Sequence, residues 1–256
     1  MGDDFLTIYK TKAIVLKTQD LKENDKLVWL FTEKMGKITA VAKGAKKNRS
    51  KFISSTLPFC FGEFVIYRGK SMYTINEVQV IDSFQQFLNN LETLTYTSYL
   101  NELIDISMVE QESNRELFKT LVIAYYFIKN NVGDIEILTR AFEVKLLKYT
   151  GYELNLDRCC ICRKKIDVSN YINFQYYGGV CKECSKSNGI YIRYTAYNVL
   201  KNLIKFPLEK CYRINIDAEV KKEIFKVLFQ IISQCYQRIP KSLNMFNFFK
   251  EAENNE

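Results

Sequence analysis

Residues 25–42 read DKLVWLFTEKMGKITAVA. In the first arm Leu27, Trp29 and Phe31 fall on one face of a strand and Val28 and Leu30 on the other, because successive side chains alternate. Apolar residues on both faces mean that both are covered, at least in part. Residues 33–36 turn the chain at Gly36, and residues 37–42 (KITAVA) return as the second strand of a hairpin. On the N-terminal side, residues 11–18 (TKAIVLKT) form another β-rich run. On the C-terminal side, residues 59–68 (FCFGEFVIYR) and 73–82 (YTINEVQVID) make two more strands around the turn Gly69-Lys70-Ser71. Five short strands in a row predict a small barrel, and the OB-fold is the common five-stranded solution.

The period changes near Phe84. Leu91, Leu94, Ser98, Tyr99, Leu103 and Ile106 follow helical spacing up to Val109. Residues 115–130 repeat the pattern with Leu117, Leu121, Ala124, Tyr125 and Ile128. Residues 134–150 give a third helix, with Asp134 as N-cap, Gly151 just past the end, and Leu138, Phe142, Leu146 and Tyr149 as its buried stripe. Residues 196–205 and 218–237 read as further helices, and residues 242–250 as a last turn or two. The fold class is therefore α+β. An N-terminal barrel over residues 1–82 precedes a helical domain over 83–155 and 190–250. A cysteine-bearing insertion occupies 156–189, and an acidic tail 251–256.

The 256 residues include no histidine. That excludes Ser-His-Asp and Cys-His catalysis, and His-ligated metal sites with them. No acidic cluster replaces them. Neither a secretory leader nor an apolar run of the ~18 residues needed to span a bilayer is evident. The expectation is a cytoplasmic protein whose eight cysteines are thiols or metal ligands.

Residues 159–184 read CCICRKKIDVSNYINFQYYGGVCKEC. Cys159 and Cys162 form one C-x2-C and Cys181 and Cys184 another, with 18 residues between the pairs. This spacing is that of a zinc site. Two thiolates three residues apart on a tight knuckle reach one ion, and a second knuckle completes the tetrahedron. Four protein ligands leave no open position, so one zinc here is structural. Gly178-Gly179 is expected to supply unusual backbone angles for the second knuckle. Cys160 is read as a spare thiol. Cys60, Cys211 and Cys235 are read as small buried residues.

The net charge is +8. Residues 1–80 hold 14 basic and 8 acidic residues, so most of the excess lies on the expected barrel. Residues 43–51 (KGAKKNRSK) concentrate Lys43, Lys46, Lys47, Arg49 and Lys51 with no acidic residue. A basic loop on a barrel is suited to follow a phosphate backbone, with aromatic residues stacking on bases. Phe52 is the expected stacking residue, and Arg68 and Lys70 extend the patch. Trp29, Phe31, Phe59, Phe61 and Phe64 are expected in the core.

Four stretches together resemble the bacterial RecO family of recombination mediators, in its zinc-bearing form. They are FTEKMGKITAVAKGAKKNRSKF (31–52) with LPF (57–59), residues 81–105 containing LTYTSYLNELID, FEVKLLKYTGYELNLDRCCIC (142–162) with GGVCKEC, and KSLNMFNFF (241–249). The resemblance implies an OB-fold, a helical domain and a zinc finger. It implies binding of single- and double-stranded DNA and annealing of complementary strands. It also implies interaction with RecR and with the C-terminal tail of single-stranded DNA-binding protein (SSB), and indirect action on RecA. The implied place of action is the bacterial cytoplasm, on the nucleoid. A zinc-bearing RNA-binding module linked to translation is the alternative that barrel and zinc knuckle alone would allow. A nuclease is a third, disfavoured by the lack of histidine and of clustered carboxylates.

Overall fold

A computed structural model of the chain describes residues 7–69 and 71–243. Lys70, the part of the expected last turn beyond Leu243, and the tail 251–256 lie outside the described residues. The described chain is α+β. Strands β1 (Thr7–Leu21), β2 (Asp25–Thr32), β3 (Gly36–Ala42), β4 (Phe61–Arg68) and β5 (Tyr73–Asp82) close into an OB-fold barrel in the order β1-β2-β3-β5-β4. The helices are α1 (Leu91–Ser107), α2 (Arg115–Lys129), α3 (Ile135–Tyr149), α4 (Tyr194–Lys205) and α5 (Ala218–Tyr236). Between α3 and α4 lies a small sheet of β6 (Tyr171–Asn173), β7 (Gly178–Gly179) and β8 (Gly189–Tyr191).

The first strand is longer than its apolar run because it serves two neighbours. Its first half pairs with β4, from Thr7↔Arg68 to Ile14↔Phe61, and its second half with β2, from Ala13↔Thr32 to Leu21↔Asp25. The register slips between Val15 and Lys17, leaving Leu16 as a bulge that bends the strand. The bulge frees the Leu16 carbonyl, which accepts a 3.0 Å hydrogen bond from the buried Asn101 side chain of α1. Ala13, Val15, Val28, Leu30, Ile38, Phe64 and Ile66 fill the barrel. Phe31 faces outward and packs edge-on against Phe118 at 5.6 Å, so both faces of β2 are covered, as its sequence requires.

The β2–β3 turn depends on a glycine. Gly36 has φ +68°, and a Cβ there would sit 2.0 Å from the Glu112 carbonyl oxygen. Both the backbone angle and the space demand hydrogen. Gly36→Ala is expected to destabilise the protein by at least about 1–3 kcal/mol from backbone strain, visible as a lower thermal midpoint. An unchanged midpoint would contradict the turn geometry.

α3 and α5 start on side-chain caps. Asp134 accepts from the Glu136 and Ile137 N–H groups at 2.8 and 3.1 Å, and Asp217 from Val220 N–H at 2.8 Å. Such caps satisfy amides that have no partner within the helix. Gly151, with φ +89°, follows the end of α3. The expected apolar stripe on α3 proves to be a whole circumference, since every residue from Ile137 to Leu147 is buried. α4, α5 and the 3-10 turn Leu208–Arg213 pack around it. Arg140 and Glu143 tolerate this burial because they pair with each other at 2.9 Å, and the Arg140 guanidinium lies 4.9 Å from the Phe225 ring centre. Tyr149, expected in the stripe, is only half-buried.

The chain forms two compact units. One contains the barrel, α1 and residues up to Lys119, together with the described residues from Pro240; the other runs from Thr120 to Ile239. The division falls within α2. Among the described residues, no helix is long and apolar enough to cross a membrane.

Candidate metal centre and nucleic-acid interface

In the second unit the chain folds back on itself around Cys159. Cys159 N–H donates to the Lys164 carbonyl at 2.8 Å, and Arg163 N–H to the Cys159 carbonyl at 2.9 Å. This closes the first knuckle, with Arg163 at φ +65°. The second pair is delivered by β7. Cys160 N–H donates to the Gly179 carbonyl at 2.9 Å, and Gly179 N–H to the Asn155 carbonyl at 3.1 Å. The order β7-β6-β8 then holds the hairpin in place.

The Sγ atoms of Cys159, Cys162, Cys181 and Cys184 all lie within 4.8 Å of one another. A tetrahedral ion with thiolates at about 2.3 Å has sulfur–sulfur edges of about 3.8 Å. Cys162 and Cys181 are 3.7 Å apart, so the four residues fit such an ion. Cys181 N–H points at the Cys159 sulfur at 3.4 Å. Desolvation would raise the Cys159 thiol, but backbone N–H groups of Cys162, Cys181 and Ile161 outweigh it and hold the thiol down to about 6. Hydrogen bonding to Cys181 and Cys162 instead pushes Cys184 up to about 12. Cys159 is wholly buried and Cys162 exposed. Across the two knuckles, Lys164 and Glu183 form a 2.6 Å ion pair.

Cys160 turns away from the cluster, its Sγ 3.8 Å from the Gly178 carbonyl oxygen, in keeping with a spare thiol. Cys60 and Cys211 are buried, whereas Cys235 is only half-buried. The role expected of Gly178-Gly179 is corrected: neither has a positive φ. They are glycines for want of space. A Cβ on Gly178 would lie 2.7 Å from the Asn155 carbonyl oxygen, and one on Gly179 2.1 Å from the Tyr197 hydroxyl oxygen. That hydroxyl donates to the Leu156 carbonyl at 2.8 Å, so α4 reaches the sheet beside the cysteine cluster through Tyr197. The insertion also has its own apolar residues inside, with Tyr171, Ile172 and Val180 buried.

On the barrel, residues 43–60 join β3 to β4 through successive turns rather than a free loop. Gly44 N–H donates to Asp25 Oδ1 at 2.8 Å, and Lys46 N–H to the Asn24 carbonyl at 3.0 Å. Ala45 and Phe52 are buried in the barrel core. Between these anchors Lys43, Lys46, Lys47, Arg49 and Lys51 are all exposed. Lys46 also pairs with Asp20 at 2.7 Å. That hydrogen bond, with the charges of Lys46 and Lys26, lowers the Asp20 carboxyl below its usual range.

Phe52 is the clearest correction among the expected DNA-contacting residues. The residue is 6% exposed and packs in the core, with the Lys51 ammonium 5.2 Å from its ring centre. It anchors the basic segment and has no face free to stack on a base. Phe52→Leu keeps an apolar anchor but leaves some space in the core, so it is expected to lower stability by about 1–3 kcal/mol while leaving DNA affinity unchanged. A selective loss of affinity in that variant would restore the stacking role. Phe31, Phe59, Phe61 and Phe64 are buried as expected, and Trp29 is half-buried beneath Lys17, 4.9 Å away. Arg68 is exposed at the end of β4, in register with Tyr73. Lys70 is outside the described residues.

Two further cations, Lys26 and Lys22, were not singled out in the sequence. Lys26 pairs with Ala42 across β2 and β3, next to Lys43 in the chain, and Lys22 is exposed in the adjoining turn. Counting the hairpin register back from Thr32↔Gly36 would have found Lys26.

Comparison with known proteins points in the same direction as the sequence motifs. Residues 6–84 match the family model described as Recombination protein O N terminal, and residues 88–244 match Recombination protein O C terminal. The chain is 57% identical over 256 residues to the DNA repair protein RecO of Clostridium novyi, with all of both chains covered. It is 56% identical over 246 residues to that of Clostridium acetobutylicum, covering 96% of this chain and 100% of the relative. A more distant relative, the DNA repair protein RecO of Desulforamulus reducens, is 32% identical over 236 residues, or 91% of each chain.

Proposed function

Because the chain belongs to the RecO family of DNA repair and recombination proteins, we propose that it is a non-enzymatic recombination mediator. In this role it binds single- and double-stranded DNA and anneals complementary strands. With RecR it helps RecA load onto SSB-coated gapped DNA, while the helical region receives the SSB tail. Its place of action is the bacterial cytoplasm.

The observation that carries this reading is the exposed row of cations on the barrel. Lys43, Lys47, Arg49 and Lys51 project from a segment pinned at Ala45 and Phe52. Side chains on a pinned backbone lose less freedom when they meet phosphates than those on a free loop. The row is one-signed, so it attracts a polyanion without demanding a base sequence. Arg68, exposed at the end of β4, belongs to the same proposed surface. A protein that anneals arbitrary strands needs that indifference.

The ion in the four-cysteine cluster is zinc in this account, and its role is structural. Thiolates on two knuckles are the donor set that zinc favours, and four of them fill its shell. The chain has no histidine, and a saturated thiolate shell leaves no position for activating water. The domains proposed from the sequence then carry separate tasks: DNA on the barrel at 1–82, and support by the helical domain at 83–155 and 190–250, clamped by the insertion at 156–189.

The test is annealing of complementary single strands coated with SSB, paired with a RecR binding assay. Acceleration of annealing together with RecR binding is expected. Absence of both overturns the mediator role, and a preference for RNA strands would redirect it to RNA binding.

A further inference from the structure

Within the first unit, beside the barrel, lies a cavity of about 350 Å³ with a largely apolar lining. Leu16 at the β1 bulge, Leu57 and Pro58 before β4, and Leu88, Leu94 and Ser98 form its walls. Leu88 and the neighbouring Leu91 are about half exposed, at 52% and 50%. Large aliphatic side chains left open around a concavity are uncommon on a monomer surface and mark a place where something docks.

The same cavity wall holds the chain's own C-terminal part. Glu102, which lines the cavity, accepts hydrogen bonds at Oε2 from both the backbone N–H and the hydroxyl of Ser242, at 2.9 and 2.8 Å. Ser242 and Leu243 are buried. The sequence continues from there as Asn-Met-Phe-Asn-Phe-Phe, residues 244–249, in which four of six residues are large and apolar and none is charged.

We propose that this cavity is the docking site of residues 244–249 of the same chain. Leu94, Ser98 and Glu102 recur every four residues and so share one face of α1. At 1.5 Å per residue, the path from Glu102 to Leu94 is about 12 Å. Six residues leaving Ser242 reach at most about 20 Å, which spans that face. Being tethered at the rim, the segment meets the cavity at an effective concentration on the order of millimolar. It therefore excludes a free apolar peptide of equal intrinsic affinity. The cavity is a site that the protein fills itself, and another ligand reaches it only by displacing Phe246, Phe248 or Phe249.

The experiment uses the full chain with the photoreactive residue p-benzoylphenylalanine in place of Phe248. After irradiation, cross-links are mapped by mass spectrometry. Cross-links to residues 85–102 of the same chain are expected, and Ser98→Arg or Leu94→Arg should reduce their yield several-fold. Far-ultraviolet circular dichroism and zinc content report whether each variant is folded, and the mapping on the otherwise unaltered chain does not depend on them. Cross-links to other parts of the chain or to a second copy, or a yield insensitive to both folded variants, would overturn the proposal.

Discussion

Cys181→Ser is expected to abolish tight zinc binding and to melt the metal-binding sheet, with a large loss of thermal stability. Structural zinc sites contribute apparent free energies of about 10–16 kcal/mol that are coupled to folding, and one ligand of four carries a substantial share of that. The Cys181 sulfur lies 3.7 Å from Cys162 Sγ, so the substitution removes the thiol through which the second knuckle meets the first. The damage should spread through Tyr197, whose hydroxyl ties α4 to Leu156 and whose ring faces Gly179. Cys160→Ser is the matched control, because Cys160 Sγ bonds to the Gly178 carbonyl and is not part of the cluster. Zinc measured after gel filtration should fall from one per chain to near none in the first variant and stay at one in the second. Zinc lost equally from both, or retained by Cys181→Ser, would contradict the assigned ligand set.

Neutralising Lys43, Lys46, Lys47, Arg49 and Lys51 together to alanine should remove most of the affinity for single-stranded DNA. Five phosphate contacts give a log K against log salt slope of about −3.5. Between 50 and 200 mM salt that slope weakens binding about a hundredfold. Lys46 takes part only by releasing Asp20, and such an exposed pair exchanges for a phosphate at little cost. The five-site variant should show a markedly shallower slope while keeping its zinc and its thermal midpoint. The segment is held by Ala45, Phe52, Asp25 and Asn24, which that variant leaves in place. A slope unchanged from wild type would move the DNA surface elsewhere on the molecule.

How much of this was legible in the sequence depended on whether a side chain's neighbours could be inferred from local spacing. β2 and β5 ended at the residues expected, because polar or turn-forming residues bound each apolar run. β1 ran further than 11–18, since its outer residues are mostly exposed and lack the buried run that marks the centre of the strand. The gathering of the four cysteines was the plainest feature, because the doubled C-x2-C spacing marks two knuckles directly and the four sulfur atoms do lie together. Phe52 misled because an aromatic residue among lysines has the same local signature whether it anchors the segment or reads bases. Only the three-dimensional core separates the two. The glycine pair at 178–179 misled in a similar way. Glycine serves both unusual angles and close approach, and the Tyr197 ring that crowds Gly179 lies 18 residues later in the chain. The full burial of α3 was hidden by Arg140 and Glu143, which look like solvent-facing residues until their pairing is seen.

The most direct test of the central claim is a side-by-side annealing measurement on SSB-coated complementary strands. It compares the unaltered protein, the five-site alanine variant of the basic segment and the Cys160→Ser control, each first verified to hold one zinc. Annealing should be rapid with the unaltered protein and the control, and fall to the uncatalysed rate with the five-site variant. Equal annealing by all three would contradict the claim that the barrel's basic segment carries the protein's action on DNA.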